Sequence, residues 1–267
     1  MDSMIHVELK VADCIAEVWL NGIPIRRLDS RQVQFVSVLA HTFLVDGPNI
    51  LELVVIPGAT PSLARNGPAK PGNIAGQASV RLVRHKVGEF TAPDAGEVML
   101  EERWRSAAQP ATTLYPLVLR VARDFGRMFG PWAWQSAAML DLARDRDAIV
   151  SLVSGIHKAF SEGRGLPIAE ISSTYLREEA RAVPGVTFEE MRRDMLRDIA
   201  GNAGRVNWVA PLEPEQFDFR LCANGRLVEC IDKQWQPLIH TLPQANGEIY
   251  PFPMFLGKVG GGFQILR

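Results

Sequence analysis

The sequence is short of cysteine, with three residues, Cys14, Cys222 and Cys230, in 267. Three scattered thiols do not build a disulfide framework, and an odd count leaves at least one free within the chain. A reducing compartment is expected, and the cytoplasm is the expected location. Charge of one sign is lacking too. Lys and Arg number 29 against 30 Asp and Glu, a formal net charge of -1, which supplies no electrostatic footprint for a polyphosphate backbone and excludes nucleic acid from the expected partners. No run of about 18 apolar residues occurs, so no membrane-spanning helix, and no membrane partner, is expected. The opening MDSMIHVELKVADC has no basic start followed by an apolar stretch and a small-residue cleavage site, and does not read as a secretory signal.

Recognisable site chemistry is also scarce. The glycines of KVGGGF, 258–263, precede a strand rather than a helix, so they do not form a phosphate-cradling loop. Cys222 and Cys230 lie across a predicted hairpin, where pairing places them on opposite faces, and this rejects a shared metal. No metal and no cofactor is expected.

What the chain does have is a globular composition, 47% hydrophobic and 22% charged, and a length suited to two domains. The expected division is a β-sandwich over residues 1–126, a junction at 127–134 and an α+β domain over 135–267. In the first part, IAEVWL, IPIRRL, VQFVSVL, ILELVVI, SVRLVRHKV, EVMLEERW and LYPLVLRVA are short β-rich runs separated by turn signals, as in a sandwich or barrel. Asn21-Gly22 is a strong two-residue hairpin signal, because a type I′ turn needs positive φ at both central positions. The implied register sets Leu20 opposite Ile23, Val18 opposite Ile25 and Glu17 opposite Arg26. It sends Val18, Leu20, Ile23 and Ile25 inward and Glu17, Trp19, Pro24 and Arg26 outward. Trp19 is thereby a candidate ligand platform, with cover for a neighbouring domain as the commoner use of such a residue.

The combination VWLNG and then DGPNILELVV, 46–55, resembles the jelly-roll, galactose-binding-like accessory domains found beside glycosidase catalytic domains. Asn21, Gly22, Gly47, Asn49, Leu51, Leu53 and Val55 carry the resemblance over about 40 residues. They are turn and core residues, so the resemblance implies a jelly-roll fold and only weakly a glycan ligand. The stretch 57–78, PGATPSLARNGPAKPGNIAGQA, is the longest without periodicity. Its Arg65, Asn66, Lys70, Asn73 and Gln77 are further candidate ligand-binding residues, since a loop this long inside a compact domain is usually functional or disordered, with a mobile surface loop as the commoner reading.

Beyond GRMFGPWAW, 126–134, the period changes to three and four. Three helices are expected: one over 145–160 with Ile149, Leu152, Val153, Ile156 and Phe160 on one stripe, one from Pro167 to Ala182, and one opened by the Thr187/Glu190 capping box. Alternation then returns in RVNWVAPL, FDFRLC, LVECIDKQW, IYPFPMFLGKV and FQIL. Asn224-Gly225 sets Arg220 opposite Glu229 and Leu221 opposite Val228. Helices followed by a curved antiparallel sheet resemble cystatin-like and nuclear-transport-factor-2-like folds, which imply a pocket at one end of the cone. In such a pocket Asp232 is the candidate general acid or base, with Trp235 and His240 beside it, although a solvated or ion-paired Asp232 is the simpler reading. His157, at the border of its helix stripe, reads as a packed or half-exposed residue rather than a ligand. PFPMF and PWAW read as interface anchors, preferably between the domains.

Two functions follow. The favoured one is non-enzymatic recognition of another protein or a glycan, because no catalytic signature is visible. The alternative is a small-molecule enzyme or carrier with its pocket in the second domain.

Overall fold

The computed structural model describes residues 3–72, 74–88, 92, 95–201, 209–243 and 247–267. The chain divides into two compact units, Met1–Pro131 with Ala182–Pro184, and Trp132–Arg181 with Gly185–Arg267.

Unit 1 is strand-rich. Its main strands are β1 Ser3–Ala12, β2 Cys14–Leu20, β3 Ile23–Ser30, β4 Gln34–Leu39, β5 Pro48–Val55, β7 Gln77–Lys86, β8 Glu97–Arg105 and β10 Leu117–Asp124; β6 Lys70–Pro71 and β9 Leu114–Tyr115 form a two-residue ribbon. They build two four-stranded antiparallel sheets, β4-β1-β7-β8 and β10-β5-β2-β3, arranged like a sandwich. The core lies on the faces that alternation predicts: Ile5, Val7, Leu9 and Val11 of β1, Val18 and Leu20 of β2, and Leu51 and Leu53 of β5 are all at most 1% exposed. β1 itself lies upstream of every strand expected from the sequence.

The β2–β3 hairpin turns at Asn21 and Gly22, with φ of 53° and 75°. Leu20 pairs with Ile23 as expected, but the remaining register is corrected by a bulge between Val18 and Trp19. The bulge leaves Ile25 as an extra residue in β3, so Val18 pairs with Arg26 and Glu17 with Arg27. Ile25 is accordingly half-buried rather than part of the core.

The Asn-Gly turn is tied to the Gly-x-Asn turn that precedes β5. Asn21 Nδ2 donates to Asn49 Oδ1 at 2.7 Å and to the Phe43 carbonyl at 2.8 Å, while its Oδ1 accepts from Ile50 N. Asn49, fully buried, also accepts from Val45 N and donates to the Val45 and Gly47 carbonyls. Gly47, at φ 82°, supplies the left-handed turn that brings that carbonyl within reach.

Unit 2 opens with α1 Ala133–Ser136, α2 Leu142–Ser161, α3 Gly165–Ile171, α4 Ser173–Ala182 and α5 Phe188–Gly201. The single helix expected over 167–182 is two helices that meet at the buried Ser172. The Thr187 capping box is formed: Glu190 N donates to Thr187 Oγ1 and Thr187 N to Glu190 Oε2. Strands β11 Arg220–Cys222, β12 Leu227–Glu229, β15 Phe255–Val259 and β16 Gly262–Ile265 form a sheet in the order β11-β12-β15-β16, with β13 Ile239–His240 and β14 Pro251–Phe252 paired separately. The Arg220–Glu229 and Leu221–Val228 pairs match the hairpin register read from Asn224-Gly225. One core joins helix to sheet, with Ile149, Val153, Ile156 and Phe160 of α2 in the same cluster as Phe219, Val228, Leu256 and Ile265. Of the expected strand RVNWVAPL, residues 205–208 lie outside the described residues.

Candidate functional site

The outer face of the β4-β1-β7-β8 sheet is polar, and cross-strand pairing sorts its side chains into rows. Register aligns Phe35, Lys10, Ser79 and Arg103 in one row, and Ser37, Glu8, Arg81 and Glu101 in the next. Beyond the first row stand Ala12, Gln77 and Arg105; beyond the second stand Leu39, His6 and Val83. An open groove of about 170 Å³ lies over the first two rows and the Arg105 side of the sheet.

Its floor is held by ion pairs. Glu8, 2% exposed, accepts from Arg81 Nε at 3.1 Å and Nη2 at 2.6 Å. Arg103 donates through Nε to Glu101 Oε1 at 2.8 Å, across a strand-neighbour spacing on β8. Four cations, Lys10, Arg81, Arg103 and Arg105, thus line the groove against two carboxylates. Arg81 and Arg103 are engaged by those carboxylates; among the described residues Lys10 and Arg105 are in no ion pair, and both are exposed.

Three of the five histidines gather at the other end of this sheet. His6 Nδ1 lies 2.9 Å from Ser37 Oγ, and its ring centroid is 5.3 Å from that of His85. Burial, and then the neighbouring His85, lower the pKa of His6. His85 Nε2 stands 3.5 Å from Glu8 Oε1, and neither atom has a hydrogen-bond partner among the described residues. His41, 1% exposed and edge-on to Phe129, has its pKa lowered to about 4 by burial, against a smaller opposing effect of the Ser3 carbonyl. The Ser37–His6 contact has the distance of a nucleophile and its base. Among the described residues, however, no carboxylate is hydrogen-bonded to His6, so the group that orients the base in a hydrolytic triad is not in place.

Of the residues singled out by sequence, Gln77 lines this groove. Trp19 and Arg65 come together elsewhere, on the outer face of the second sheet. Trp19 pairs in register with Glu52, as an outward residue should, yet it is only 3% exposed. The Arg65 guanidinium lies 4.7 Å above its ring and donates to Glu52 Oε1, which also takes Arg120 Nε at 2.8 Å. Trp19 Nε1 donates to the buried Glu17 at 2.9 Å. The loop therefore covers the indole with its own arginine. Asn66 and Lys70 are exposed, Lys70 pairing with Tyr115 in the β6–β9 ribbon; Asn73 lies outside the described residues.

In unit 2, Asp232 Oδ1 accepts from the backbone of Gln234 and Gln236, both at 2.8 Å, and so organises a turn. Trp235, at φ 68°, lies within that turn, its ring 5.4 Å from the guanidinium of Arg220. His240 Nδ1 lies 2.9 Å from the Thr241 carbonyl. His157, half-buried, has Nε2 2.8 Å from the Ala210 carbonyl. Trp132 is buried, with the guanidinium groups of Arg181 at 4.4 Å and Arg267 at 5.6 Å from its ring. All three thiols are buried and free; burial raises the pKa of each, which disfavours the nucleophilic thiolate.

Sequence reasoning missed Glu8, Lys10, Arg81, Arg103 and Arg105. The signal for the first two was present in SMIHVELKVA, where His6, Glu8 and Lys10 alternate with Ile5, Val7 and Leu9. The others share a row with β1 only through pairings that no local pattern reveals. Comparison of the chain with protein-family models, with curated proteins and with solved structures gave no match.

Proposed function

We propose that this chain is a non-enzymatic recognition protein that binds another protein through the outer face of the β4-β1-β7-β8 sheet. The observation that carries the reading is the groove there, where two exposed cations, Lys10 and Arg105, have no ion-pair partner among the described residues and stand beside paired ones. Rigid strands carry these side chains, and a preorganised polar surface loses less on binding than a flexible one. A glycan is the less favoured ligand, because the aromatic candidates are covered by cations, Trp19 by Arg65 and Trp235 by Arg220.

The galactose-binding-like reading of unit 1 is supported by the Asn21–Asn49 hydrogen bond, which gives the residues behind that resemblance a shared structural task. The cystatin-like reading of unit 2 rests on helices packed over one face of an antiparallel sheet. Phe217, Phe219, Val228, Cys230, Leu238 and Met254 belong to that unit's core cluster, and their packing speaks for a filled interior rather than an enzyme's pocket. A reducing compartment such as the cytoplasm suits three free, buried thiols.

The test is affinity capture from the native cell with the full chain as bait, in parallel with a Lys10→Glu/Arg105→Glu variant. A stoichiometric partner held by the first and released by the second is expected. Equal retention by both would contradict the assignment of the face.

A further inference from the structure

Building on the recognition reading above, we infer that the segment bound at this groove is an extended acidic peptide whose two carboxylates stand four residues apart. Arg81 is held by Glu8 and Arg103 by Glu101, so among the described residues the groove's uncompensated charge is that of Lys10 and Arg105.

Their placement is fixed by the strands. Lys10 shares a row with Ser79 and Arg103, and Arg105 lies one row further along β8. Two strand spacings of about 4.8 Å and one same-face step of about 6.8 Å put the two backbone anchor points roughly 12 Å apart. A single phosphate or carboxylate is a compact anion, best held by cations that converge from neighbouring positions, and Lys10 and Arg105 are diagonal across the face. In an extended chain, carboxylates at positions i and i+4 are separated by about 13 Å and project to the same side. That spacing spans the diagonal, with Ser79 and Gln77 between the cations as hydrogen-bonding neighbours and Phe35 at the Lys10 end as an apolar contact.

Glu8 and Glu101 sharpen the choice. They occupy the adjoining row and repel any further negative charge placed over Arg81. The acidic segment is thereby steered along the line from Lys10 to Arg105, and a uniformly acidic stretch is disfavoured relative to a spaced pair.

The experiment is calorimetric titration of the full chain with short, β-favouring synthetic peptides. One carries glutamates four residues apart, a second has both replaced by glutamine, a third places the two glutamates side by side, and a fourth carries one phosphoserine. The spaced peptide is expected to bind about tenfold more tightly than the glutamine peptide at low salt, and more tightly than the other two. Salt should erode the difference. Lys10→Gln and Arg105→Gln should each remove most of the preference; both sites are exposed, so the fold should be retained. Equal affinity for the spaced and glutamine peptides, tighter binding of the phosphoserine peptide, or a preference that survives both substitutions would overturn the inference. If the captured partner still depends on Lys10 and Arg105 while the spaced peptide shows no advantage, the acidic segment is wrong and the docking face stands. If neither result depends on these residues, the docking face falls as well.

Discussion

Asn49 shows most directly how a side chain in this protein does structural work that its type does not announce. It is fully buried, and its amide accepts from Asn21 and Val45 and donates to the Val45 and Gly47 carbonyls. Removing it takes a partner from half-buried groups of Asn21, Val45 and Gly47; Asn21 Nδ2 keeps the Phe43 carbonyl and Gly47 O keeps Phe125 N, so the main loss falls on the Val45 N–H and C=O, at about 1–3 kcal/mol each. Asn49→Ala is therefore expected to lower unfolding stability by roughly 2–4 kcal/mol in urea, whereas Asn66→Ala, in an exposed loop, should stay within about 0.5 kcal/mol. His41 makes a second claim at this scale. Its folded pKa, about 4, is below the usual 6.5, so between these values the unfolded chain binds more protons than the folded one. The stability it contributes is complete above pH 6.5 and is lost as pH falls toward 4. His6, lowered in the same direction, adds to the same slope. Urea titrations at about pH 7 and about pH 5 should differ by roughly 2 kcal/mol from His41, and His41→Phe should remove that part of the difference. An unchanged slope in the variant would count against the buried neutral imidazole.

At the scale of elements, the strand pattern was readable and its consequences only partly so. Two-residue alternation located β2, β3, β4, β5, β7, β8 and β10, and Asn21-Gly22 and Asn224-Gly225 fixed both hairpins. The bulge at Ile25 was not readable, because an extra residue in a strand leaves alternation intact on either side of it. Alternation also says which face a side chain takes and not what lies above that face. Trp19 is outward by register and buried in fact, since Arg65, far away in an aperiodic loop, stacks over it. Arg65→Ala should therefore make Trp19 accessible: acrylamide quenching of tryptophan fluorescence should increase, with a loss of about 1 kcal/mol in stability. Glu52 keeps Arg120 in that variant, so unfolding of the sheet is not the expected cause. Unaltered quenching would mean that the loop's other residues, among them the buried Pro61 and Ala64, suffice as cover.

For the whole molecule, composition and period established a strand-rich half followed by helices and a further sheet, which the two units bear out. The candidate site was almost wholly hidden. Lys10, Arg81 and Arg105 are separated by up to 95 positions and are ordinary charged residues in their local contexts; long-range strand pairing alone brings them to one face. Asp232 illustrates the converse, a residue conspicuous in the sequence whose carboxylate closes a turn. The proposed recognition face is a surface of unit 1. The measurement that tests it most directly is hydrogen exchange on the full chain, alone and with the partner retained in affinity capture. Slowed exchange is expected along the groove-bearing stretches around Lys10–Ala12, Gln77–Arg81 and Glu101–Arg105. Protection confined to unit 2, with those three stretches unchanged, would contradict it.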